Sequence, residues 1–238
     1  MKLKIFDKIP AQRVRKFNRR LLWSLLIFEW VLLAIYLATV LLWGDSPPLW
    51  DFNGFQNIPS LFSAIQLFAV ACSFLGLAFY RSYPGQKPSR RLLVTVGVIF
   101  FYISLIDETF KLHQHFYKPL CWMPGIENCR GWFNIYIYIY VGIAIATFIL
   151  FFKDLKASWR FYPRASFFVG FGIFTFLFGA LGLELLKFQI FDTGYGIMEE
   201  LRIGLEEYLE MLGATLTLYG NGLFFVRRIE QSEGSEYN

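Results

Sequence analysis

EELRIGLEEYLEMLGATLTLYGNGLFFV, residues Glu199–Val226, is apolar enough to enter a membrane and carries five carboxylates. A charged side chain at the centre of a bilayer costs about 2.5–3.5 kcal/mol on insertion scales, so these acids cannot face lipid. On a helix turning about 100° per residue, Glu199, Glu206, Glu210 and Thr217 fall within about 40° of one another, and Glu207, Asn221 and Glu200 widen the arc to about 120°. Leu205, Leu209, Leu212, Leu216 and Leu223 lie opposite. The stretch reads as a membrane helix with a leucine side for lipid and a polar stripe for protein or water. Intramembrane ionisable residues make a functional site the default reading.

The rest of the chain has the same character. Its 238 residues are 56% hydrophobic and 20% aromatic, with a mean hydropathy of +0.45. Apolar runs of about 20 residues recur, which soluble domains lack. The net charge of +5 does not point to nucleic acid, because the basic residues lie between apolar runs. Six membrane spans are expected: TM1 Leu21–Trp43, TM2 Leu61–Tyr80, TM3 Leu92–Ile106, TM4 Trp132–Phe152, TM5 Ala165–Phe188 and TM6 Glu199–Val226. TM1 is too long for a signal peptide, and no small-residue cleavage site follows it. TM4 contains an Ile-Tyr alternation, but a lone strand cannot cross lipid with its backbone unpaired, so a helix with interfacial tyrosines is expected. On TM5, Gly172, Thr175, Gly179 and Gly182 share one side, spaced for close helix–helix approach. Cys72, inside TM2, is expected to pack.

Basic residues in short loops orient the bundle. Residues 1–20, loops 81–91 and 153–164 and the segment after TM6 hold 18 of the 23 Lys and Arg, all on one side of a six-helix topology. The expected organisation is an all-α, multipass inner-membrane protein with both termini cytoplasmic. A basic segment spans residues 1–20, a six-helix transmembrane domain 21–228 and an acidic tail 229–238.

Threading the helices this way brings distant polar groups to the outer leaflet. TM3 runs outward into Asp107, Glu108, Lys111, His113 and His115. TM5 runs outward to Glu184. TM6 enters there with its five glutamates, and TM2 with Gln66. Ser104, Asp107, Glu108, Lys111 and His115 share an arc of about 100° on TM3. The candidate ligands are Asp107, Glu108, His113, His115, Glu206, Glu207 and Glu210, with Ser104, Lys111, Glu184, Glu199 and Glu200 in support. Glu206/Glu210 and Glu207/Glu210 each put two ligands on one helix face. Carboxylates with an imidazole suit Zn, Mn or Fe, and carboxylates alone suit Ca or Mg; the donor set does not distinguish them.

The same groups with water in place of metal would form a proton or cation pathway, extended inward by Thr217 and Asn221. With Lys111, Lys187 and Arg202 neutralising the acids, they would instead be a structural salt-bridge network. Glu29, inside TM1, has three outcomes open to it: snorkelling, carrying a proton, or pairing with another helix. Cys121 and Cys129 lie in the outer loop, with Pro124 and Gly125 between them, and are expected to form a disulfide.

Asp107-Glu108 followed by His113, and Glu206-Glu207-Tyr208-Leu209-Glu210-Met211-Leu212-Gly213, resemble two signatures of an uncharacterised group of bacterial multipass membrane proteins. The group's pattern is Asp-Glu, four residues, His-Glu, and later Glu-Glu-x-x-Glu-Met-x-Gly. The resemblance implies a multipass membrane protein and no particular activity. Gln114 stands where the pattern has Glu, which removes one acid from the first signature.

Two histidines do not supply the His-rich clusters of desaturases or a three-histidine zinc site. There is no Glu-x-x-His pair, no Gly-rich phosphate loop and no Gly-x-Ser-x-Gly. Three functions remain: a metal-binding membrane protein, including an enzyme on a lipid or lipid-linked substrate; a proton or cation transporter or channel; and a non-catalytic membrane subunit or assembly partner in a larger complex. Membrane lipid is the one partner the composition demands. The oligomeric state is not legible.

Overall fold

The structure is a computed structural model that describes residues 10–44, 46–52, 57–80, 87–108, 135–183 and 196–235. Among these residues the chain is helical, with short turns and no strand. The helices are α1 (Ala11–Trp43), α2 (Ile58–Phe79), α3 (Arg90–Tyr102), α4 (Ile135–Leu150), α5 (Phe152–Phe161), α6 (Pro163–Leu177) and α7 (Ile197–Ser235). Two π-helical segments, Ile103–Glu108 and Phe178–Leu183, continue α3 and α6. Four helices are long and apolar enough to cross a membrane, or five if α4 and α5 form one bent span. This is the architecture of a helical membrane protein.

Local chemistry sets the helix ends. Gly44 closes α1 in the left-handed region at φ 78°, its N–H donating to the Val40 carbonyl at 2.8 Å, a conformation that glycine adopts without a Cβ clash. Asn57 starts α2 earlier than the apolar run suggests. Its side-chain oxygen accepts from the Ser60 amide at 2.7 Å, and Pro59 occupies the first turn. Ser89 caps α3 in the same way, accepting from the Leu92 amide. The Ile-Tyr alternation is helical, as expected.

Residues 153–164 differ from expectation, since much of that loop is the helix α5, bent by 66° from α4. Phe152, Leu155 and Trp159 fall within about 60° on a helix, next to Lys153, Lys156 and Arg160. That pattern is amphipathic, which suits a helix lying along a membrane interface. The helices also overrun the expected membrane limits: α1 begins within the basic segment and α7 runs into the acidic tail.

The long helix α7 is the axis of the bundle, antiparallel to α1 and α6 and parallel to α2. One hydrophobic cluster joins Leu67, Val70, Phe74, Leu93, Phe100 and Phe176 to Ala214 and Phe224 of α7. A second joins Leu32, Tyr36, Val40 and Phe52 to Ile203 and Met211 of α7. Lipid tails are as apolar as leucine, so close packing must hold such helices together. At the α6–α7 crossing, a Cβ on Gly213 would lie 2.6 Å from the Gly172 carbonyl oxygen, and one on Gly172 would lie 2.7 Å from the Thr217 amide nitrogen. Gly179 meets the α7 backbone at Glu206 and Glu210. The expected approach surface is therefore present at Gly172 and Gly179, whereas Gly182 meets only the ring of Phe178 on its own segment.

Because α7 is central, its leucine side is not uniformly outward. Leu205 is exposed, but Leu223 is buried between helices. Cys72, expected in the core, lies on the exposed face of α2 instead.

Candidate functional site

At one end of α7 the acids find partners nearby. The Arg202 guanidinium donates to both Glu199 oxygens, at 2.9 and 3.0 Å, and also pairs with Glu206. These are i,i+3 and i,i+4 partners on one helix face. The Arg202 side chain is only 6% exposed, so its charge is balanced away from bulk water. Glu200 accepts a 2.6 Å hydrogen bond from the hydroxyl of Tyr36, a buried α1 residue stacked on Phe52. Glu207 and Glu210 are half-buried on the same stretch.

Of the other expected site residues, Ser104 is buried and donates to the Ala64 carbonyl of α2 at 2.8 Å. That bond ties the π segment to α2 and is a structural use of the hydroxyl. Asp107 and Glu108 end the same π segment. Lys111, His113, His115, Cys121, Cys129, Glu184 and Lys187 lie outside the described residues. Among the described residues no group of three or more His, Cys, Asp and Glu is placed to hold a metal ion.

A second polar node lies further along α7, between the two hydrophobic clusters, and it centres on Glu29. This carboxyl has no exposed surface. Its Oε1 accepts from Gln66 Nε2 of α2 at 2.8 Å and from the Thr215 hydroxyl of α7 at 2.6 Å. Gln66 Nε2 also approaches the Met211 carbonyl at 3.0 Å and Thr215 Oγ1 at 2.5 Å. Among the described residues, two acceptors in the node, Glu29 Oε2 and Gln66 Oε1, have no hydrogen-bond partner. Three helices thus contribute one side chain each to a fully enclosed site. Sequence reasoning noted Glu29 and Gln66 separately but did not join them. The available signal was a carboxyl and an amide, each inside its own apolar run.

Further along, the Asn221 amide of α7 donates to Ser73 of α2 at 2.7 Å, and Asn18 of α1 donates to the Tyr219 carbonyl at 3.0 Å. Thr217 donates to the Gly213 carbonyl at 2.8 Å, one turn back in its own helix. Beyond them, buried Arg228 donates to the carbonyls of Leu77, Tyr80 and Pro88, tying α7 to the end of α2 and the segment before α3. Of the two residues expected to extend the polar stripe inward, Asn221 makes an interhelical link and Thr217 bonds back within α7, while Thr215, not among those expected, links α7 to α1 and α2.

The fold and its enclosed polar line define a helical membrane-type protein built around one polar helix. A family model for a domain of unknown function, DUF8692, matches residues 43–221, and the chain belongs to that family. No curated protein and no solved structure matches it.

Proposed function

We propose that this is a six-pass inner-membrane protein with cytoplasmic termini that moves a proton or small cation along α7. The observation that carries the reading is the line Glu29–Gln66–Thr215, buried among α1, α2 and α7, followed by buried Asn221 and its half-buried partner Ser73. Polar groups that only balance charge have no need to continue through the apolar middle of a bundle, where each is costly. The acids at the start of α7 would collect cations at the outer mouth. The stretch Arg90–Glu108 supplies the sixth pass beyond the five apolar candidates.

The gathering of basic segments supports the topology. Arg15 pairs with Glu230 at 2.5 Å, Arg228 donates to the Pro88 carbonyl at 3.2 Å, and Lys87 pairs with Asp154 at 3.0 Å. All four basic segments therefore meet at one end of the bundle, the end that the positive-inside rule assigns to the cytoplasm. On this reading residues 21–228 are the membrane domain, flanked by the segments 1–20 and 229–238. The rival is a divalent ion held by Asp107, Glu108, His113, His115, Glu206, Glu207 and Glu210. The Arg202 pairings weigh against it, because Glu206 already has a cationic partner.

The test is flux by the full chain in liposomes, followed with a pH-sensitive dye and with cation electrodes. Flux should be present in the wild-type protein and lost in Glu29→Gln and Glu210→Gln. Absence of wild-type flux, or flux indifferent to Glu29→Gln, overturns the reading. A stoichiometric divalent metal lost on Glu210→Gln would favour the rival.

A further inference from the structure

We propose that the Glu29 node is a proton-binding site, with Glu29 a neutral carboxylic acid in the resting protein. The argument is an inventory of hydrogens. A side-chain amide has two N–H groups and a hydroxyl has one, while an ionised carboxylate accepts at about four positions. Gln66 Nε2 faces three oxygens, those of Glu29, Met211 and Thr215, one more than it has hydrogens to satisfy. The Thr215 hydrogen is used on Glu29 Oε1. Among the described residues, Glu29 Oε2 and Gln66 Oε1 nonetheless have no donor. The node is therefore short of hydrogen in a place with no exposed surface, where an unpaired acceptor is costly and a charged one more so. Among the described residues no Lys, Arg or His pairs with Glu29.

One proton on Oε2 cancels the buried charge and turns that unmet acceptor into a hydroxyl, while Oε1 stays the carbonyl oxygen that accepts from Gln66 and Thr215. The balance is simple: carboxylate plus hydronium gives the neutral acid and water, the O–H bond formed on Oε2 replacing one broken in hydronium. Among the described residues, Gln66 of α2 and Thr215 of α7 hydrogen-bond Glu29, and Tyr208 of α7 interacts with it electrostatically. Tyr208 is the titratable one, within electrostatic reach of Glu29 and packed on Trp30 at 5.2 Å. Bound hydrogen thus identifies the proton as the cation the line handles. That consequence rests on the transport reading above, whereas the protonation itself does not.

Infrared spectroscopy of the full chain in lipid nanodiscs tests the site without requiring flux. At neutral pH the wild-type protein should show the carbonyl stretch of one neutral carboxyl group. The band should be lost in Glu29→Gln and retained in Glu206→Gln and Glu210→Gln. In Thr215→Val it should move to higher frequency, because Oε1 loses a donor. If Glu29→Gln does not fold, the Thr215→Val shift decides. Absence of the band in the wild type, its survival in folded Glu29→Gln, or an unmoved band in Thr215→Val overturns the proposal. Replacing sodium by choline should leave the spectrum unchanged; a band that appears only without sodium would make sodium the resident cation and overturn the proton. A correct band without flux would reject transport and keep the proton site.

Discussion

Two stations on the polar line of α7 solve one problem in opposite ways. At its start, Glu199 and Glu206 are about a fifth exposed and share the guanidinium of Arg202, so charge meets charge. Further in, Glu29 has no exposed surface, is held by an amide and a hydroxyl, and among the described residues leaves one oxygen without a donor. Countercharge suits a wet margin, where both partners keep some water and the desolvation cost is partial. Deep in the bundle a second charge would add its own desolvation, and neutral donors leave the carboxyl able to gain or lose a proton. The first arrangement fixes its charges in pairs, and the second is the one we propose exchanges a proton.

The largest effect should come from breaking the charged end. Arg202→Ala removes the guanidinium that Glu199 and Glu206 share. It should cost toward the lower end of the about 3–5 kcal/mol seen when one member of a buried pair is removed, because the glutamates keep some solvent. Glu29→Gln, which removes a buried acid and leaves an amide of the same shape, should cost much less. Thermal unfolding of both variants in detergent checks the pair, and a reversal of their order would invert the contrast.

The crossing that seats α7 against α6 comes next. Gly213→Val must displace the backbone at Gly172 and Phe176, and should lose about 1–3 kcal/mol as overpacking does. Retention of the wild-type melting temperature would mean that α7 is not held at this seam.

Thr215→Val sharpens the contrast by reporting the charge on Glu29. Loss of one bond to a neutral carboxyl should cost about 0.5–1.5 kcal/mol, and loss of one to a charged group about 1.5–3 kcal/mol. Denaturant titration in detergent separates the two ranges, and the smaller one is expected. The smallest effect should be at Arg15, whose side chain is 60% exposed in its pair with Glu230. Screening by water and salt leaves such pairs little, so Arg15→Ala should not shift the melting temperature measurably.

Composition and spacing alone were enough for the class of fold, because run length and charge content are local properties that lipid reads directly. They also pointed to the gathering of the basic segments and to Arg202 beside its acids, since i,i+3 and i,i+4 neighbours follow from helix geometry. Helix α5 escaped notice because a short amphipathic segment between charged residues resembles a loop when only long apolar runs are sought. The Glu29 node was beyond reach for a different reason. Its partners lie 37 and 186 residues away, and their meeting depends on how α1, α2 and α7 rotate against one another. Likewise Leu223 points inward because neighbouring helices wrap α7 on several sides, which a helical wheel of α7 alone does not contain. Packing chose the helix faces, and with them which carboxylate meets a cation and which is sealed with an unpaired oxygen.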